Sequence, residues 1–437
     1  MTALRLWWRL SRHQRDQRLP VLLALVGFAV ATGVLLTTLG GALALSHRDV
    51  DAVYDVLALA ATVIVVVPVL TLGGSAARLA VSRRNARFAA LRLAGATSGQ
   101  VATIAVVDAA AQALVGALAG VVLYLGALPG VALIRFQGRP FRWSELWVGP
   151  SVLALSVLGV VLLATVSAAV TLASVVVGPL GVARRTTPKR LTVLRVVVAV
   201  TAFALWVPLM NGGAVALVTL VVVVGLCFGT LNLVGPFVLR LVGRVGVRRA
   251  RDAAGLLAAR RLLDDPRAAW RSVSGVTLAT FVAGLMSAGP ALSGGLAADP
   301  TSRMLGHDVL TGSVVTLVIA ALVAAASSGV TQAARVLDQR EQYRMLHLAG
   351  TDLAVLERAR LRETGLPLVS CVLMAAAASL VIVAPVGLGL ITSAWQGGAI
   401  FVGGVLAALG LVIGAVRLSQ PLVALVVRPE PDAAVTA

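Results

Sequence analysis

Long uninterrupted apolar runs dominate the chain. They lie at about 21–45, 53–77, 101–134, 148–182, 193–211, 214–239, 273–297, 311–333, 361–392 and 399–427. A helix needs roughly 17–25 apolar residues to cross a bilayer, so the pattern predicts ten transmembrane helices. Several runs exceed that length and must tilt or continue into solvent. The polar segments between runs are shorter than the about 50 residues a separate domain needs. Ala42-Leu43-Ala44 resembles a signal-peptide cleavage site. The run before it is too long for a leader's apolar stretch of about 7–15 residues, so it is read as a first span. The expected fold class is an all-α, multi-pass membrane protein.

Composition agrees with that pattern. Of 437 residues, 59% are hydrophobic and 13% charged, and mean hydropathy is +0.96. A soluble domain carries about 25% charged residues, which excludes a soluble enzyme or a disordered regulator. The net charge is +19, a value that invites a nucleic-acid reading until the charges are placed. With a cytoplasmic N-terminus, 32 of the 37 Lys and Arg fall in inside segments. The other five, Arg48, Arg135, Arg139, Arg142 and Arg303, fall outside. Such a split orients membrane proteins, so the charge is a topology signal and an attraction to anionic inner-leaflet lipids, with no nucleic-acid partner. Both termini are expected in the cytoplasm. Cys227 and Cys371 lie inside apolar runs and say nothing about compartment. Arginine outnumbers the single lysine, Lys189, a bias suggestive of a GC-rich bacterial genome.

The chain also repeats itself. Leu91-Arg92-Leu93-Ala94-Gly95 matches Leu346-His347-Leu348-Ala349-Gly350 at an offset of 255. The same offset relates Phe88 to Tyr343, Asp108 to Glu363, Arg5 to Arg260, Arg12 to Arg267, Gly149 to Gly404 and Gly159 to Gly414. Residues 1–182 and 256–437 therefore read as two four-span copies. An even number of spans separates equivalents, so the copies are parallel, related by an axis along the membrane normal. Residues 183–255 form a two-span linker, with Asn211-Gly212-Gly213 as its tight turn. Each copy opens with a basic amphipathic helix. In the first, Leu4, Trp7 and Trp8 oppose Arg5, Arg9 and Arg12, as in a helix lying on the inner leaflet or a simple positive anchor.

Four spans, a basic loop between the second and third carrying this motif, and an acid early in the third: this resembles the FtsX/MacB-type ABC transporter permease family. The matching stretches are Arg84 to Ala96, RNARFAALRLAGA, and Gln339 to Thr351, QREQYRMLHLAGT. The family's glutamate is replaced by Arg87 and by Gln342, with Glu341 one place away. The loops near 46–52 and 298–310 are too short for the large extracytoplasmic domain of many members. The four-two-four arrangement is similar to the ten-span branch associated with peptide-antibiotic resistance, without its ectodomain. The resemblance implies a permease in the bacterial cytoplasmic membrane that works with a separate cytoplasmic ABC ATPase, two subunits per chain. It implies movement or release of a lipid, lipopeptide or hydrophobic peptide at the outer leaflet. No phosphate-binding G-x-x-x-x-G-K-[ST] loop occurs, so the chain is not expected to be an ATPase itself, and no cofactor is expected.

Three sets of residues are candidates. In loops 83–98 and 338–353, Phe88 with Leu91 and Tyr343 with Leu346 share a helix face. Gly95 and Gly350 fit a helix C-terminal break. On the resemblance, these faces dock on the ATPase; otherwise they pack on the protein's own helix ends. Asp108 and Glu363 sit at the edge of apolar spans, where an acid is costly. They are either coupling sites, as in a proton-coupled secondary transporter, or structural, with Arg360 and Arg362 close to Glu363. The stretch 135–147 carries Arg135, Arg139, Arg142 and Trp143, which suit either an amphipathic or anionic lipid substrate at the outer leaflet or an ordinary aromatic belt with snorkelling arginines. The pairs Gly116/Gly120, Gly225/Gly229 and Gly410/Gly414 fit close helix packing. The four histidines have no metal-ligand spacing.

Overall fold

The computed structural model describes residues 18–48, 52–82, 95–176, 216–288, 300–338, 345, 353–391 and 395–418. The chain divides into two compact units, Met1–Arg190 and Leu191–Ala437. Every predicted apolar run that falls within the described residues is helical; the run 193–211 lies outside them. Among the described residues, seven helices are long and apolar enough to cross a membrane. The chain is thus a helical, membrane-embedded protein. Hydrocarbon offers a backbone no hydrogen-bond partner, and a helix satisfies its own groups.

In the first unit the helices are α1 (Arg18–Ser46), α2 (Ala52–Ser82), α3 (Ser98–Ala132) and α5 (Gly149–Val176). Between α3 and α5 lie β1 (Arg135–Phe136), β2 (Arg139–Pro140) and the single turn α4 (Trp143–Leu146). The four long helices make a ring: α1 packs on α2 and α3, and α5 packs on the same two. Small residues let the backbones approach. A Cβ at Gly116 would lie 2.6 Å from Phe28 Cβ, and one at Gly120 would lie 2.6 Å from both Ala29 O and Thr32 Cβ. Alanines 24, 76, 77, 113, 117 and 164 fill the seam around Phe28. In lipid such contacts, not expulsion of water, drive association. Of the three glycine pairs picked from the sequence, only Gly116/Gly120 packs this way among the described residues. A Cβ at Gly225, Gly229, Gly410 or Gly414 would meet nothing within 4 Å. A glycine spacing marks a smooth helix face without choosing its partner.

The second unit holds α6 (Ala216–Arg249), α7 (Ala253–Asp264), α8 (Pro266–Met286), α9 (Pro300–Asp338), α10 (Leu353–Ile391) and α11 (Trp395–Leu418). Here α8 is central, buried without interruption from Ser272 to Gly284 and packed on α6, α9, α10 and α11. Three of its hydroxyls bond back into their own helix, among them Ser272 Oγ to Ala269 O at 2.6 Å and Thr277 Oγ1 to Val273 O at 2.8 Å. Trp270 sits against Gly235. Its Nε1 donates to Asn232 Oδ1 at 3.2 Å, which meets a buried indole's need for an acceptor.

The amphipathic helix expected at the start of this copy is broken in two. Asp265 caps α8 through Ala268 N, with Pro266 in the first turn, where proline's missing N–H costs nothing. The piece before the break, α7, does not lie alone on a membrane face. Gly243 and Gly246 of α6 leave room for Leu263 and Ala259, so α7 folds back antiparallel along the end of α6. The helix 1–17 expected in the first copy lies outside the described residues.

Candidate functional site

Phe88, Leu91, Tyr343, Leu346 and Gly350 of the proposed docking segments lie outside the described residues. Gly95 lies within them. Its φ is +93°, the left-handed side that glycine adopts freely and that a helix C-terminal break requires. Two residues on, Thr97 starts α3 with a capping box. Gln100 N donates to Thr97 Oγ1 at 3.3 Å, and Thr97 N donates to Gln100 Oε1 at 3.0 Å. Gly95 thus takes a positive φ just before a capped helix start. In the second unit, α10 begins at Leu353, 255 residues after Ser98.

The two acids stand in different surroundings. Asp108 is buried on α3, one turn before buried Gln112; both continue the face that carries Gly116 and Gly120. Glu363 is held on α10 by Arg261 Nη1 at 2.9 Å, with both side chains largely buried. Arg362 turns the other way and holds Asp252 Oδ2 at 2.6 Å. Neighbouring charges on α10 thus clamp both ends of α7. Sequence proximity pointed to Arg360 or Arg362 as companions of Glu363, but the ion pair comes from a residue 102 positions away.

The segment 135–147 is a folded cap. Gln137 at φ +55° and Gly138 at φ +75° turn the β1–β2 hairpin, in which Phe136 pairs with Arg139. Two consecutive positive φ values match the twist of a tight hairpin. Beneath it lies Arg48, with only 3% of its side chain exposed. Arg48 donates to Phe136 O at 2.8 Å, to Pro140 O at 3.3 Å and to Glu145 Oε2 at 2.7 Å. Its guanidinium also lies over the Phe141 ring, 4.4 Å from the centroid. Arg139 holds the other Glu145 oxygen at 2.7 Å. Tyr124 OH donates to Leu146 O at 2.6 Å and accepts from Val148 N at 3.3 Å, which ties the cap to α3. Of the four cap residues named from the sequence, Arg139 is engaged with Glu145 while Arg135, Arg142 and Trp143 remain exposed. Sequence reasoning missed Arg48 as the centre of this network, because its partners are 88 to 97 residues away.

It also missed a cavity. Between α1, α2 and α5 lies a partly open space of about 280 Å³, lined by Leu35, Val66, Gly73, Leu155, Gly159 and their neighbours, with Ser156 the one polar side chain in the lining among the described residues. Nothing along the chain marks it, since its walls come from three separate apolar runs. Among the described residues no group of His, Cys, Asp and Glu could hold a metal ion. No family model matches the chain, and no curated protein or solved structure matches it significantly.

Proposed function

We propose that the chain is the membrane-spanning permease subunit of an ABC transporter of FtsX/MacB type. In this reading ten spans, in two parallel four-span repeats joined by a two-span linker, sit in a bacterial cytoplasmic membrane with both termini inside. A separate cytoplasmic ATPase, two subunits per chain, docks on segments 83–98 and 338–353. ATP-driven closure of that pair pulls on the segments, and the helices carry the motion to the opposite leaflet. There a lipid, lipopeptide or hydrophobic peptide is moved or released.

The observation that carries this reading is the doubled motif and its placement. Each copy sets the same aromatic–Leu–Gly spacing directly before a long helix, and those helices begin one repeat offset apart. Gly95 and the Thr97 capping box give the first segment a stiff connection to α3, as a force-transmitting loop needs. The packing of α1 on α2 and α3, and of α8 on α9 and α10, also supports the repeat. The Arg261–Glu363 ion pair favours a structural role for that acid over proton coupling. The pair ties α10 to α7, and on α8 the Ser272 and Thr277 hydroxyls bond to their own helix backbone.

The experiment is a pull-down of the partner ATPase by detergent-solubilised permease. Phe88→Asp and Tyr343→Asp should each weaken association, and the double variant should abolish it, because a carboxylate then enters an apolar groove unpaired. Loss of such an anchor costs about 2 kcal/mol or more, roughly a 30-fold drop in affinity. Arg84→Asp, beside the face, should do less. A folded double variant that binds at full strength removes the docking assignment.

A further inference from the structure

The cavity in the first unit is dry by construction. A buried water needs two to four polar partners, and Ser156 alone offers one. At about 280 Å³ the space falls just short of the ~300 Å³ at which pockets for whole small ligands begin. That suits part of a molecule, such as a chain. Its depth is set by its walls. Leu155 to Leu163 lie about 9 to 21 Å along α5 from Gly149, which spans the middle of a ~30 Å hydrocarbon layer. The surroundings at that depth are lipid tails.

The three helices that line the space meet at the cap. Arg48, at the α1–α2 turn, is bonded into it, and α5 starts from it at Gly149. The cap's apolar base, with Leu36, Val148, Val152 and Leu153, borders the cavity residues Leu35 and Leu155. Above that base stand Arg135 and Arg142, both exposed; Arg142 joins the Arg48–Arg139–Glu145 network through its backbone N–H, which donates to Glu145 Oε2 at 3.1 Å. Trp143 and Trp147 are exposed beside them, at 60% and 46%. Exposed indoles of this kind favour the headgroup level, and an arginine there matches a phosphate. A cationic crown over a dry, chain-sized groove is complementary to a single kind of molecule.

We propose that this groove and cap bind an anionic phospholipid, one acyl chain in the cavity between α1, α2 and α5 and the phosphate at Arg135 and Arg142. This deepens the proposed function by naming what the permease holds, and rests on that reading only for transport. Binding itself needs neither ATPase nor nucleotide, so its failure and a failed pull-down are separate results.

The test uses the full chain in nanodiscs with phosphatidylglycerol carrying a mid-chain diazirine. After photolysis, labelled peptides are mapped by mass spectrometry. Label should concentrate on 66–73 and 155–163. Gly159→Phe should cut the label on 66–73 at least tenfold. A Cβ at Gly159 meets nothing within 4 Å, so the side chain has room to plug the groove. Leu155→Trp, at a position 70% exposed, is a second plug should the first fail to fold. Gly126→Phe, equally open but on α3 outside the lining, should leave the pattern unchanged. Arg135→Gln with Arg142→Gln should reduce labelling by phosphatidylglycerol severalfold and leave a phosphatidylcholine probe unaffected. Label spread evenly over all lipid-facing helix surfaces, or unchanged in both plugged variants, overturns the chain site. Equal labelling by the two lipids in the wild type overturns the anionic headgroup.

Discussion

Arg48 shows how much one buried cation can organise. Its guanidinium joins a carbonyl from each hairpin strand to the Glu145 carboxylate, with the Phe141 ring closing one side. Arg48→Met would leave the buried Phe136 carbonyl unpaired and remove one of the donors to Glu145. With the pair 3% and 18% exposed, the cost falls between the exposed limit of about 0–1 kcal/mol and the buried limit of about 3–5 kcal/mol. We expect a large fall in thermal stability in detergent, with new protease cleavage in 135–147. Arg139→Met removes a partner that is 46% exposed, and exposed pairs contribute about 0–1 kcal/mol, so its melting temperature should scarcely move. Glycines divide in the same way. Gly120→Val drives a side chain into Ala29 and Thr32 of α1, and overpacking of that kind costs about 1–3 kcal/mol. Gly126→Val, with open space around it, should stay within about 0.5 kcal/mol. Thermal unfolding of the two variants side by side checks the contrast.

Among the elements, α7 has a role out of proportion to its 12 residues. It lies along the end of α6 through Gly243 and Gly246, leads into the central helix α8, and is clamped to the start of α10 at Asp252 and Arg261. The Arg261–Glu363 pair is 20% and 15% exposed, the Arg362–Asp252 pair 47% on both sides. Burial weakens screening by water, so the first pair should matter more. Glu363→Arg alone sets two cations against each other and should destabilise by about 1–3 kcal/mol, between the exposed and buried limits. Adding Arg261→Glu should recover much of that loss, which a double-mutant cycle of melting temperatures measures. Asp252→Ala loses the exposed ion pair, about 1 kcal/mol or less, and the α7 cap to Gly255 N, about 1 kcal/mol, and its melting temperature measures the two together.

For the whole molecule, the decisive measurement is topology. The 32-to-5 division of Lys and Arg predicts that thiols placed at Arg139 and Arg303 react with an impermeant reagent added to sealed cells. Thiols placed at Arg87 and Gln342 should not. The native cysteines, Cys227 and Cys371, are both buried and should contribute little background. Reaction at 87 would reverse the membrane orientation and put the proposed ATPase docking segments on the wrong side. The two units also differ in ways that an exact duplication would not allow. Gly149 starts α5 at φ +79°, while its counterpart Gly404 is packed inside α11 against Ala283. The cap occupies residues that in the second unit continue as α10 up to Ile391 and as α11 from Trp395. The last helix of each unit also packs differently: α5 on α2 and α3, α11 on α9 and the central α8 and little on α10.

The sequence by itself determined the helical class and the positions of the described apolar helices. Both follow from local rules, the length of apolar runs and the backbone's need to bond internally in lipid. It also located the left-handed break at Gly95, since glycine's freedom is a property of one residue. Tertiary structure decided what each polar residue does. Glu363 pairs with Arg261 and not with its neighbours in sequence; Arg48 is a buried bolt and not a loop charge; one glycine pair of three forms a seam. It alone formed the cavity, whose walls are 31 to 163 in the chain. Ion pairs and voids depend on which helices stand side by side, and apolar runs of nearly uniform composition carry no code for that choice.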